Sequence, residues 1–413
     1  MKYGVLYHKT TTNIGDDFQS YAAARFLPHI DYLINRETID EFQSENHEDV
    51  VCIMNAWWMW NKWHFPPAED IIPLFVAFHY SEYGKDRMSN NGMEYVKYQF
   101  LEGKGKEYMN YHGPIGCRDM ATVNSLKEIG IDSYFSGCLT LTLDKFKIDP
   151  PLREYICIVD TSEAVVQCVK EMVRKSGKDI DIIESTHFND YRYVECTWEE
   201  RVQEVERRLK IYQNAKCVIT RKLHCALPCL ALETPVFLVN ADFISTRFQP
   251  YYDWLRKATT QQFLSGEYEY DIFNPPNNLD FYKETRQALK SSVNTFIDLC
   301  ENKGALKGKY EQKCEEFLMW RIETMKSVLD EAFWDYRRKN EKIKDMEREL
   351  TSKLNEYKNA TQLKDKEIEN IKMKLENQKM EIENQKKILN AKMVKPVVKL
   401  RKIIQKTGFF KKH

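Results

Sequence analysis

The stretch CVITRKLHCALPCLALETPVFLV, residues 217–239, decides the fold. Its apolar start, Cys217-Val218-Ile219, reads as a short buried strand. Thr220, Arg221, Lys222 and His224 follow at once, and Cys225 to Leu232 has the apolar spacing of a helix. After Pro235 comes a second apolar run, Val236 to Val239. Strand, polar corner, helix and strand make one repeat of a parallel α/β sheet. Ligands of such sheets sit outside the carboxyl ends of the strands. Two cations and an imidazole stand there at a helix start, where exposed amides and the helix dipole attract anions. The corner is a candidate site for an anionic substrate, with a titratable group beside it.

At 413 residues the chain is long enough for two globular units plus extensions. Lys+Arg and Asp+Glu both number 62, but Lys392 to His413 holds eight cations and no acid. The preceding residues are therefore net acidic, which argues against nucleic acid as a partner of the globular part. No segment reaches the roughly 18 uninterrupted apolar residues of a membrane-spanning helix. The opening Met1–His8 is too short and polar for a signal peptide and reads as a first strand. Eleven cysteines without a framework spacing fit reduced thiols in a cytoplasmic protein. Cys225 and Cys229 lie one helical turn apart, but no second pair completes a zinc site, and they read as buried small hydrophobes.

Strands are expected at Lys2–Tyr7, Val50–Met54, Leu74–Phe78 and Ser133–Phe135, with helices near Phe18–Leu27 and Met120–Ile129. A second set follows: strand Tyr155–Val159, helix Ala164–Lys175, strand Ile180–Ile183 and helix Trp198–Tyr212. This alternation predicts an α/β fold of two Rossmann-like domains, residues 1–148 and 152–300, joined at Asp149-Pro150-Pro151 and facing each other across a cleft.

Beyond about residue 300 the character changes to a C-terminal helical and coiled-coil extension. Residues 305–338 read as a helical region whose aromatic face (Phe317, Trp320, Phe333, Trp334) packs back on the core. Residues 339–391 read as a coiled coil, with Ile368, Ile371, Leu375, Gln378, Ile382, Gln385 and Leu389 at seam spacing. It either joins copies into a homo-oligomer or is a solvated single helix with a weak stripe. Residues 392–413 form a basic amphipathic tail, read either as a peripheral anchor for anionic membrane lipid or as a disordered tail.

Three segments, in order, resemble the polysaccharide pyruvyl transferase family. The first is Thr12-Asn13-Ile14-Gly15-Asp16-Asp17-Phe18-Gln19-Ser20. The second is Ile115-Gly116-Cys117-Arg118-Asp119, followed by Leu126, Gly130-Ile131 and Gly137-Cys138-Leu139-Thr140-Leu141. The third is Lys222-Leu223-His224, standing where the family has Arg-Leu-His. The resemblance implies a two-domain fold similar to the B-type glycosyltransferases. It also implies transfer of a pyruvyl group from phosphoenolpyruvate to sugar hydroxyls as a ketal, during assembly of a surface polysaccharide. The acceptor would be a glycan or lipid-linked sugar met at the inner face of the cell membrane.

On that resemblance His224 is the acid/base, and an imidazole titrating near neutrality suits the proton transfers of ketal formation. The alternative is a histidine capping its helix. Arg118 binds the donor's carboxylate or phosphate through paired bonds, or pairs with Asp119 or another acid. Lys222 faces the donor and Arg221, its neighbour, points elsewhere or assists. Asn13, Gly15 and Asp16 form either a ligand-approach loop or a plain helix cap. Asn55, Trp57 and Trp58 begin an aromatic cluster after a strand, read as a sugar platform or as core. His79 is a further cleft candidate. No cofactor motif or metal set is present, and the Gly15 loop lacks the P-loop spacing. Two other readings remain: a nucleotide-sugar glycosyltransferase of the same architecture, and a non-catalytic scaffold acting through its coil.

Overall fold

The computed structural model describes residues 1–55, 64–80, 101, 103–302, 310, 314–359 and 369–389. Trp57, Trp58 and the basic tail lie outside the described residues. The chain divides into two compact units, Met1–Ser81 with Leu101–Glu311, and Glu82–Phe100 with Gln312–His413.

The first unit is α/β, with wholly parallel sheets. β1 (Lys2–Tyr7), β2 (Tyr32–Asn35), β3 (Val50–Ile53) and β4 (Ile71–Leu74) stand in the order β2-β1-β3-β4. β5 (Ile115–Cys117) pairs with β6 (Ser133–Phe135), and a parallel bridge from Phe78 to Cys117 sets this pair after β4. The second sheet contains β7 (Tyr155–Val159), β8 (Asp181–Ser185), β9 (Cys217–Thr220), β10 (Val236–Asn240) and β11 (Arg256–Thr259). Its order, β8-β7-β9-β10-β11, is the 2-1-3-4-5 pattern of doubly wound folds. The chain reverses direction across the sheet between β7 and β9, so the ligand crevice is expected at their carboxyl ends.

β7 and β9 are buried along their whole length, as expected of strands covered by helices on both faces. One apolar core joins the two sheets. Helix Ile14–Ala24 packs against helix Trp198–Asn214 and helix Leu223–Ala231, and Phe18, Leu209, Leu223 and Leu227 are buried between them. The other face of the second sheet has its own core, built from Ile158, Val169, Ile219 and Phe237.

Two elements of the first unit differ from the sequence reading by more than two residues. The first helix begins at Ile14, not Phe18, because the Asn13 side chain accepts from Gly15 N and caps it. Gly15 and the two acids belong to its first turn, where acids suit the dipole. The expected strand Leu74–Phe78 is displaced to Ile71–Leu74. Pro73 is tolerated opposite Cys52, and Ala77 then turns to a positive φ of 52°, so that Phe78 leaves β3 and pairs with Cys117.

In the second unit, helices span Cys314–Asn359 and residues 369–389. Along the second of these, Ile371, Leu375, Gln378, Ile382 and Leu389 are partly shielded, whereas Gln385 is exposed. Phe317 is buried; Phe333 and Trp334 are exposed.

Candidate functional site

The carboxyl ends of both sheets meet around one buried guanidinium. Arg118 follows β5 directly and is only 1% exposed. Its Nη1 donates to Gln19 Oε1 at 2.7 Å and to His224 Nε2 at 3.3 Å. Its Nη2 is buried without a hydrogen-bond partner, and no carboxylate lies within ion-pair distance among the described residues. The neighbouring Asp119 is otherwise engaged: it caps helix Met120–Glu128 through Thr122 N at 2.8 Å and holds His79 Nδ1 at 2.6 Å. Behind the arginine, the buried Tyr251 hydroxyl donates to the Arg118 carbonyl. Burying a charge without a counter-charge is expensive, and such a site favours an incoming anion.

His224 sits in the first turn of helix Leu223–Ala231, half-buried against the start of helix Ile14–Ala24. An arginine only donates, so Nε2 of the neutral ring accepts and Nδ1 carries the proton. A Cβ on Gly15 would lie 3.0 Å from that Nδ1, so glycine is what lets the ring stand there. Burial, then the charges of Arg118 and Arg247, hold the His224 ring well below the usual imidazole range, against the opposing pull of Asp16. His79 is pushed down to about 3 by burial and by Arg118. His187, after β8, is pushed down to about 4 by burial and then by Lys222 and Arg208, opposed by Asp160. Three imidazoles are thus neutral at pH 7 beside fixed cations.

Lys222 is half-buried, its Nζ 3.9 Å from Asp160 Oδ2 and 4.7 Å from the centroid of the Phe188 ring. Burial lowers its pKa, as do Arg221 and Arg247, while Asp160 opposes them. Asp160 ends β7 at a positive φ of 52° and binds His187 N at 2.9 Å, a backbone conformation found where function holds strain. Arg221, in contrast, is exposed.

The Asn13 loop joins the halves. Asn13 bridges to Phe188, Ile14 N donates to His187 O at 2.8 Å, and Asn189 N donates to Thr12 O at 2.8 Å. Asp16 accepts from Thr11 Oγ1 at 2.7 Å and stands 3.7 Å from both Arg36 and His8. Burial would raise its pKa, but the His8 hydrogen bond and the Arg36 charge hold it below the usual carboxylate range. A small cleft lies here, lined by His8, Asp16, Gln19, Ser20, Arg36 and Asn55. Asn55 Nδ2 donates to Gln19 O at 2.8 Å, which links the cleft to Arg118 through one glutamine.

Of the residues singled out from sequence, Arg118, His224, Gly15 and Asn13 come together, with Lys222 beside them and Asn55 one residue removed. His79 is buried behind Asp119. Gln19, His187, Asp160 and Arg247 escaped the sequence reading. Arg247 is the only cation between Ala241 and Leu255, the segment after β10, so the carboxyl-end rule alone would have marked it. Gln19 had no such signal. Among the described residues no cluster of three or more His, Cys, Asp or Glu side chains is placed to hold a metal ion.

No curated relative matches the chain. Among solved structures it is similar to the UDP co-structure of MnaA from S. aureus, at 10% identity and a TM-score of 0.41 over 75% of this chain and 100% of that one. It is also similar to the UDP-GlcNAc 2-epimerase of Methanocaldococcus jannaschii, at 10% identity and a TM-score of 0.37, over 72% of this chain and 100% of that chain. The family model described as Polysaccharide pyruvyl transferase matches residues 88–242, from before β5 to just past β10, and this is the segment of the chain that resembles that family.

Proposed function

We propose that this protein transfers the pyruvyl group of phosphoenolpyruvate onto two hydroxyls of a sugar, forming a ketal and releasing inorganic phosphate. The observation that carries this reading is Arg118: a buried guanidinium with, among the described residues, an unpartnered Nη2 and no carboxylate partner, and with an imidazole 3.3 Å away. A small molecule carrying a carboxylate and a phosphate supplies the missing charge. Arg118 grips one anionic group with a planar fork, and Lys222 with Arg247 attracts the other. His224, neutral in the resting protein, takes the proton of the first attacking hydroxyl as a general base.

The protons balance. The methylene carbon gains one, the two sugar hydroxyls lose two, and the second leaves with the phosphate. The attacking oxygens form two bonds to the central carbon, the vinyl double bond takes up the proton, and the carbon–oxygen bond to phosphate breaks.

The test is to incubate the purified protein with phosphoenolpyruvate and ketal-free surface polysaccharide of the source organism. Phosphate release and the glycan's mass are then followed. The reading expects phosphate release with the mass increment of pyruvic acid less water, both abolished in His224→Gln. Phosphate release without that increment, or full activity in His224→Gln, would overturn it.

A further inference from the structure

We infer that Phe188 is a platform for the acceptor sugar ring, so that the loop after β8 forms the acceptor half of the site. This inference rests on the pyruvyl-transfer reading and adds where the second substrate lies. Phe188 is 54% exposed, although the preceding His187 is only 2% exposed. The exposure does not come from a loose backbone. Asn13 pairs with Phe188 in an antiparallel bridge, the residues on either side bond to Ile14 and Thr12, and Phe188 N donates to Thr186 Oγ1 at 3.1 Å. An aromatic ring is thus held out to solvent on a fixed support, where burial would have been the more stable arrangement.

Its surroundings select the ligand. Lys222 Nζ stands over the ring at 4.7 Å and pairs with Asp160 at 3.9 Å, so a cation and a carboxylate adjoin one apolar face. A single ring flanked by a lysine and its carboxylate partner is too small an apolar area for a lipid chain or a peptide hydrophobe. It suits a pyranose, which stacks its C–H face on an aromatic ring and offers hydroxyls at its rim. A sugar seated there also meets Lys222, whose position next to His224 brings the hydroxyls toward the donor.

The test uses the full chain, phosphoenolpyruvate and surface polysaccharide of the source organism freed of ketals by mild acid. In Phe188→Ala the KM for polysaccharide should rise about five- to tenfold. The KM for phosphoenolpyruvate should stay within about twofold and the melting temperature should not change, since the side chain is exposed. Phe188→Trp should restore the acceptor KM, and Phe188→Leu should not. An unchanged acceptor KM in Phe188→Ala, or equal losses for both substrates, would overturn the inference, the latter meaning that the ring only supports Lys222. Saturation-transfer NMR of the polysaccharide on wild type and Phe188→Ala reads the platform without turnover. If wild type releases no phosphate yet Phe188→Ala loses saturation transfer, the platform stands and the pyruvyl reading falls; transfer that persists in Phe188→Ala removes the platform.

Discussion

Replacing Arg118 with methionine separates a ligand-binding arginine from a structural one. Burying such an ion costs several kcal/mol after relaxation. The bond to Gln19 returns about 1.5–3 kcal/mol, and the 3.3 Å contact with His224 returns less. Without an ion-pair partner the two sides nearly cancel, so Arg118→Met should leave unfolding free energy within about 1 kcal/mol of wild type, a shift of at most about 4 °C in Tm. A buried arginine locked in a structural ion pair would instead cost about 3–5 kcal/mol on removal. Ligand binding gives the opposite contrast. At a phosphoenolpyruvate concentration of about one hundred times Kd, wild type should gain about 2.7 kcal/mol, and Arg118→Met should gain almost nothing. The assay is thermal unfolding, with and without phosphoenolpyruvate, followed by circular dichroism. A variant that melts more than about 10 °C lower yet keeps the full ligand-induced rise would refute the reasoning.

Gly15→Ala should preserve stability within about 1 kcal/mol, because alanine favours the helix while crowding the His224 ring. It should lower kcat/KM about ten- to a hundredfold by displacing that ring, and unchanged turnover would separate the ring's seat from the chemistry. His187 is neutral in the folded chain down to about pH 4, whereas an unfolded histidine protonates from about 6.5. The unfolded state then binds the extra proton, so this group's contribution is present above 6.5 and is lost as pH falls toward 4, at about 1.4 kcal/mol per unit. Denaturant titrations from pH 7.5 to 4.5 should show that slope flattened in His187→Gln, about these limits; identical slopes would assign the loss elsewhere.

The fold was largely legible because parallel strands covered on both faces are written as unbroken apolar runs. β7 begins and ends where its run does, and β1 and β6 have the bounds expected. β2 and β11 were not legible. Tyr32–Asn35 is short and half-buried, and Arg256–Thr259 is an edge strand with alternating exposure that reads as loop. The site divides in the same way. Arg118 and His224 could be read because each stands one to four residues past a recognisable strand. Gln19 could not, because it reaches Arg118 from the second turn of a helix 99 residues away, and polarity on a helix face ordinarily means solvent. Asp160 gave no signal either, since its role depends on a left-handed backbone that only the three-dimensional path reveals.

The electrostatics and the proposed reaction call for the same sequence of events. In the resting chain burial, and then the cations around His224, keep its ring unprotonated and ready to accept, while Arg118 lacks a counter-charge among the described residues. A donor with a carboxylate and a phosphate would offset the cationic part of that depression, though not the part due to burial, so basicity would rise when the donor is in place and not before. A base strong in the empty site would already hold a proton at pH 7 and could not accept the hydroxyl's. A base weak in the filled site would not take it. Placing the imidazole against a guanidinium that, on the proposed reading, grips the donor would let one binding event meet both demands. It also explains why the ring is seated on Gly15, at the start of a helix anchored to the opposite sheet: the coupling holds only while the 3.3 Å spacing does.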